Sequence, residues 1–149
     1  MDSVVVIGAS HAGVACAEAL RRNGFAGRLT LIDSGAGLPM ERPPLSKAFL
    51  LVAPESASAG ACGFLLRQAS WYQDNDIDLR LGATVTYLDA GARQLVLGDE
   101  TLGYDALVLA TGAIPRQLPA ATGLAGVHVL RSPDDASLLR QAMGSATSA

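Results

Sequence analysis

Residues Val4 to Leu20 read VVVIGASHAGVACAEAL, and no other stretch constrains the fold as much. An unbroken apolar run, Val4 to Ile7, leads straight into a turn punctuated by Gly8 and Gly13. Such a run suits a strand buried on both faces of a sheet. From His11 to Asn23, Val14, Cys16, Ala17 and Leu20 fall on one helical stripe, while Glu18, Arg21 and Arg22 can face water. Gly24 supplies a stop signal. "RLTLID", Arg28 to Asp33, reads as a second strand. Together these predict a β-α-β unit with parallel strands and a right-handed crossover.

The turn carries chemistry. Gly8-x-Ser10-x-x-Gly13 follows the G-x-G-x-x-G fingerprint of dinucleotide-binding turns, with serine at the middle glycine. The first glycine permits the tight turn, the second lets the backbone approach a pyrophosphate, and the third allows close helix–strand packing. N–H groups at the helix start, with the positive end of its dipole, then hold phosphates. Ser10 keeps the side chain small and adds a hydroxyl, but its Cβ takes space at the closest approach; it reads as a tolerated substitution that weakens binding. Asp33 ends the second strand 20 residues beyond Gly13, where an acid binds ribose hydroxyls and repels a 2′-phosphate. The bland alternative is a surface acid at a strand end.

At 149 residues the chain is one domain or a piece of a larger one. That length can bury roughly 68–70% of the unfolded surface without disulfide or metal. With 50% hydrophobic and 17% charged residues the chain is globular. A net charge of −3 argues against nucleic acid and anionic membrane as partners. Cys16 and Cys62 form no C-x-x-C, and His11 and His128 have no metal-ligand spacing, so buried reduced thiols and no metal are expected. Asp2, Glu18 and the Arg21-Arg22 pair break any signal or membrane-spanning pattern, so a soluble cytoplasmic chain is expected.

Beyond Asp33, "SGAGLPMERPPLSKAFL" is a Gly/Pro loop in which a helix can start only after Pro43-Pro44. Ser56 to Gly63 reads as small-residue loop. "FLLRQASWYQDNDI" is expected to be a helix with Phe64, Leu65, Ala69, Trp71 and Tyr72 mostly inward, as core packing. "DLRLGATVTYLD", "RQLVLGD" and "ETLGYDALVLATG" read as a β-meander feeding one last buried strand, Ala106 to Ala110. A short apolar run "VHVL", a terminal helix from about Ser132 and a frayed tail "GSATSA" complete the pattern, with no internal repeat.

The fingerprint, the loop R-P-P-L-S-K (Arg42 to Lys47) and the A-T-G strand end (Ala110 to Gly112) occur in an order that resembles the FAD-dependent pyridine-nucleotide reductases. Within them the chain is similar to the ferredoxin/rubredoxin-reductase branch, over roughly residues 3 to 140. The resemblance implies an α/β fold: a Rossmann-like FAD-binding domain with a parallel sheet and a small β-meander, incomplete at the C-terminus. It implies that Gly8, Ser10, His11, Ala12 and Gly13 surround the FAD pyrophosphate and that Asp33 holds the adenosine ribose. Val85 would lie near the adenine, and Ala110, Thr111 and Gly112 would close the turn where the chain passes the cofactor. Arg42 and Lys47 would line the flavin side, with Lys47 as the catalytic cation near the isoalloxazine N5 edge. The alternative for Lys47 is an ordinary solvated lysine; for His11, packing at the helix start outweighs chemistry.

Disulfide-reducing members of the family carry a redox cysteine pair in the helix after the second strand, where this chain has Arg-Pro-Pro-Leu-Ser-Lys. The resemblance therefore implies hydride transfer to flavin and one-electron delivery to an iron–sulfur acceptor, ferredoxin or rubredoxin. A second glycine fingerprint for NAD(P)H is expected in a complete enzyme. "GAGLPM" is the nearest candidate, and it lacks both the third glycine and a strand of its own. The chain thus reads as the N-terminal part of the FAD domain (1–131), followed by a terminal helix or linker (132–149) toward an NAD-binding domain. Weak FAD binding or none, and no turnover by this chain alone, are expected. The alternatives are a free-standing FAD- or NAD-binding module, perhaps completed by a partner chain, and a non-catalytic remnant acting through an exposed apolar face.

Overall fold

The computed structural model describes residues 1–51 and 63–145. Cys62 and the expected loop from Ser56 to residue 62 lie outside the described residues, as does the end of the tail. In chain order the elements are β1 (Ser3–Ile7), α1 (His11–Arg22), β2 (Arg28–Ile32), α2 (Ala48–Leu51), α3 (Ala69–Asp74), β3 (Ile77–Arg80), β4 (Val85–Asp89), β5 (Gln94–Leu97), β6 (Glu100–Gly103), β7 (Ala106–Leu109) and α4 (Pro133–Ser145). They form two compact units: Met1–Met40 with Leu65–Gly112, and Glu41–Phe64 with Ala113–Ala149.

The first unit holds a parallel sheet in the order β3-β2-β1-β7 and an antiparallel sheet β4-β5-β6. Val4 pairs with Leu29 on one side and Ala106 on the other, which places β1 in the middle of the parallel sheet and explains its unbroken apolar run. One core joins Val4, Val6, Val14, Ala17, Leu29, Leu31, Tyr72 and Ile77; a second joins Val5 and Ile32 to Leu95, Leu97 and Leu102 of the antiparallel sheet. Burial pushes the Tyr72 phenol up to about 12, against the opposing pull of Arg67, so it stays neutral in the core. Trp71 meets Tyr72 edge to face at 5.2 Å between ring centroids.

Helix α1 stops as its sequence predicts. Gly24, at φ +84°, donates to the Arg21 carbonyl, and Phe25 N–H donates to the Leu20 carbonyl, each at 3.0 Å. This pair of bonds is the Schellman pattern. From the last turn of α1 the Arg21 guanidinium reaches four carbonyls: Phe25, Gly27, Asn75 and Asp76.

Ile77–Arg80 does not open the meander; it pairs parallel to β2, and the positive-φ turn at Gly82 separates it from β4. The helix expected over "FLLRQASWYQDNDI" forms only over Ala69–Asp74. Leu65 instead makes an antiparallel bridge with Met40, and Leu66 N–H bonds the Pro39 carbonyl at 2.9 Å, which takes this segment out of helical pairing. Ala69 is exposed rather than inward, and Cys16 is half-buried rather than buried. β7 ends at Leu109, with Ala110 N–H still bonded to the Ile7 carbonyl.

In the second unit Pro43–Ser46 forms a 3-10 turn with proline in its first positions, where a missing N–H costs nothing. Leu45, Phe49 and Ala136 are buried; Phe49 packs against Phe64, and the Arg140 guanidinium lies 5.7 Å from the Phe49 ring centroid. α4 starts at Pro133, as the sequence suggests, and Ser132 and Asp135 form a reciprocal cap. Asp135 accepts from the N–H groups of Ser132 and Arg131, at 2.8 and 2.9 Å, and its own N–H bonds the Ser132 hydroxyl at 3.1 Å.

The Ser132 contacts, reinforced by the Arg131 N–H, hold the Asp135 carboxyl below the usual carboxylate range. The unfolded chain therefore takes up this proton at higher pH than the folded chain does. The stabilisation is complete above the ordinary aspartate value of about 4 and is lost as pH falls through the lower folded value. Urea midpoints should fall less on acidification in Asp135→Asn than in the wild type; equal acid slopes would remove the cap as the cause.

Candidate dinucleotide site

The site is built where β1, β2 and β7 end side by side. Gly8 N–H bonds the Ile32 carbonyl at 2.7 Å, and Ala110 N–H bonds the Ile7 carbonyl at 2.8 Å. Gly8 turns the chain at φ +103°, and a Cβ there would strike the Ala110 carbonyl. The A-T-G strand end thus lies against the first fingerprint glycine.

Gly13 has a different reason to be glycine. A Cβ on it would run into the Gly8 carbonyl, with Leu31 Cδ1 at 3.3 Å. Helix α1 therefore crosses directly over the turn and sheet, which is the packing role of the third fingerprint glycine. Ser10 caps the helix at φ −85° and ψ −168°, an extended conformation open to any residue. Serine is thus admitted there without backbone strain. The N–H groups of His11, Ala12 and Gly13 open the helix with no acceptor one turn before them, and no acidic side chain occupies the first turn. Backbone donors at the positive end of a twelve-residue helix suit a phosphate. His11 and Ala12 are exposed, so His11 is not the packing residue expected of it.

Asp33 follows β2 at the same end. Its Oδ2 accepts from Ala9 N–H at 2.6 Å and its Oδ1 from Gly35 N–H at 2.8 Å. Its own N–H bonds the Arg80 carbonyl, and its carbonyl accepts from Ala83 N–H, both at 2.9 Å. Ala9, Gly35 and Ala83 are members of the site that sequence reasoning missed. The Asp33-Ser34-Gly35 tripeptide, a turn in which Asp bonds its backbone two residues on, was the available signal. Val85 lies two residues beyond Ala83 and packs half-buried against the Leu95–Leu97–Leu102 cluster. Thr111 and Gly112 are exposed at the end of the β7 segment, Gly112 at φ +73°.

Arg42 and Lys47 belong to the second unit. The Arg42 guanidinium donates to the Arg131 carbonyl at 3.0 Å, just before α4. Lys47 ends the 3-10 turn, its N–H bonded to the Pro44 carbonyl at 2.9 Å and its side chain exposed. Among the described residues no three His, Cys, Asp or Glu side chains converge on a metal position, and no helix is long and apolar enough to cross a membrane.

A glycine turn between the first strand and helix of a parallel sheet, with an acid at the end of the second strand, defines a Rossmann-type dinucleotide-binding unit. The family described as pyridine nucleotide-disulphide oxidoreductase matches residues 2–148, and the chain belongs to that family. It is 41% identical over 148 residues to the rhodocoxin reductase of Rhodococcus erythropolis, covering 98% of this chain and 34% of that protein. The structure of a ferredoxin reductase from Rhodopseudomonas palustris superposes with a TM-score of 0.85 at 37% identity, over 97% of this chain and 35% of that one. The reductase of a covalent putidaredoxin reductase–putidaredoxin complex superposes at 0.81 and 37%, over 95% and 34%. The chain spans about a third of the length of the curated relatives it matches. These are reductases of the branch to which the sequence motifs point, and their fold is the expected α/β one.

Proposed function

We propose that the chain is the FAD-binding portion of an NAD(P)H-dependent flavoprotein reductase that passes electrons to a ferredoxin- or rubredoxin-type acceptor. The observation that carries this reading is the convergence of the Gly8–Gly13 turn, Asp33 and Ala110–Gly112 in a chain whose relatives include ferredoxin and rubredoxin reductases. The donor set fits a dinucleotide: helix-start N–H groups for the pyrophosphate and a carboxylate for a ribose diol.

In this reading Gly8, Ser10, His11, Ala12 and Gly13 hold the pyrophosphate, Asp33 the ribose, Val85 the adenine side, and Ala110 to Gly112 the passing chain. FAD held there would supply the chemistry of accepting a hydride and releasing single electrons to an iron–sulfur acceptor. Lys47 would supply a cation for the flavin side, favouring negative charge there. Arg42 orders the same loop, using part of its fork on the Arg131 carbonyl. R-P-P-L-S-K has no cysteine to form a dithiol relay. Residues 132–149 lead toward the NAD(P)H-binding part of a complete enzyme.

Flavin fluorescence should be quenched on titration into the chain, ADP should compete, and desalting should strip most of the FAD. The chain alone should not oxidise NADH. Quenching that ADP does not reverse would overturn the assignment of FAD to this turn.

A further inference from the structure

We propose that Asp33 locks the phosphate-binding turn itself, as a positioning residue, in addition to any contact with a ribose diol. This inference rests on the dinucleotide-site reading above. Ala9, inside the turn, is only 2% exposed, so its N–H has to be paired within the protein. Its partner is the Asp33 carboxylate, 24 residues away in sequence and 2.6 Å away in space.

The neighbouring Gly8 N–H bonds the Ile32 carbonyl at 2.7 Å. Two successive turn amides are therefore tied to two successive residues at the end of β2, the first through main chain and the second through a side chain. Asp33 can serve as that tie because its backbone is held on both sides, by Arg80 and Ala83. Gly35 N–H, on the other oxygen, fixes the carboxylate rotation. A carboxylate has about four acceptor positions, so two remain for a diol after both amides are bound.

Chemistry also explains why an amide cannot replace it. Both partners are donors, and only a group that accepts through both oxygens satisfies them. Asparagine would turn an N–H₂ toward one of the two amides, and alanine would leave the buried Ala9 N–H without a partner. The phosphate half of the site should then loosen even for a ligand that has no diol.

ADP and 2′,3′-dideoxy-ADP separate the two roles. Both should bind the wild type, ADP more tightly, and Asp33→Asn and Asp33→Ala should weaken the dideoxy nucleotide roughly tenfold, as for loss of one charge-assisted hydrogen bond. Equal dideoxy-ADP affinity in wild type and folded variants would overturn the proposal and leave Asp33 acting on the diol alone. If the wild type binds neither nucleotide, the dinucleotide reading fails, and amide exchange without ligand still decides the turn lock. Ala9 should exchange about tenfold faster in Asp33→Asn than in the wild type; an unchanged rate overturns the lock. Should both variants unfold, the wild-type Ala9 amide should still be protected from exchange, and a freely exchanging Ala9 amide would count equally against the lock.

Discussion

Arg21→Ala is expected to destabilise the first unit by about 3 kcal/mol, lowering its melting temperature by roughly 10 °C. The guanidinium donates through Nε to the Asn75 carbonyl at 2.8 Å, through one terminal nitrogen to Phe25 and Gly27 at 2.6 and 2.9 Å, and through the other to Asp76 at 2.7 Å. It also lies 5.6 Å from the Phe25 ring centroid. The four carbonyls belong to the α1 exit loop and to the turn that launches β3, in which Asp76 sits at φ +48°. One planar fork thus ties α1 to the entry of the sheet's edge strand. Truncation removes charge-assisted bonds and leaves half-buried carbonyls to be met by water. Arg21→Lys should recover less than half, because an ammonium cannot span the same acceptors. Thermal melts of the three proteins check this; an Arg21→Lys melt equal to wild type would show that charge alone accounts for the effect.

Gly13→Ala should have the larger consequence for the site. The added Cβ meets the Gly8 carbonyl, a backbone atom that cannot rotate away, so α1 has to lift from the turn. A cost of about 4 kcal/mol is expected, at the upper end for single substitutions, together with loss of ADP and FAD binding. Gly8→Ala adds backbone strain, at φ +103°, to its own collision with the Ala110 carbonyl. Gly24→Ala is the control, because its φ is also positive but no atom lies within 4 Å of the added Cβ. It should lose about 1 kcal/mol and keep nucleotide binding. Urea unfolding with parallel nucleotide titrations reads both effects. A Gly13→Ala protein that still binds ADP would mean that the turn tolerates a displaced helix.

The β1-α1-β2 opening was legible because its signals are local: an apolar run, a glycine turn, a helical stripe and a stop at Gly24. Ile77–Arg80 was misplaced because four residues carry no mark of a ladder partner as remote as Leu29. The helix expected from Phe64 was overdrawn for a similar reason. Leu65 and Leu66 look helical in composition, yet their backbone pairs with Met40 and Pro39. At the site Gly8, Gly13 and Asp33 could be read from residue type and spacing. Ala9 could not, since its contribution is one main-chain N–H. His11 carried no hydropathic signal for the exposure it shows.

The division into two units has a consequence for how the molecule can be watched. Trp71 and all three tyrosines, Tyr72, Tyr87 and Tyr104, lie in the first unit, whereas Phe49 and Phe64 are the aromatic residues of the second. Excited at the tryptophan band, the protein reports from a single indole that meets Tyr72 edge to face and has the Arg67 guanidinium 5.3 Å from its ring centroid. The helix that begins at Pro133 is optically silent in that channel. A far-ultraviolet dichroism melt that parts from the emission melt would time the loosening of the second unit separately, with no label attached.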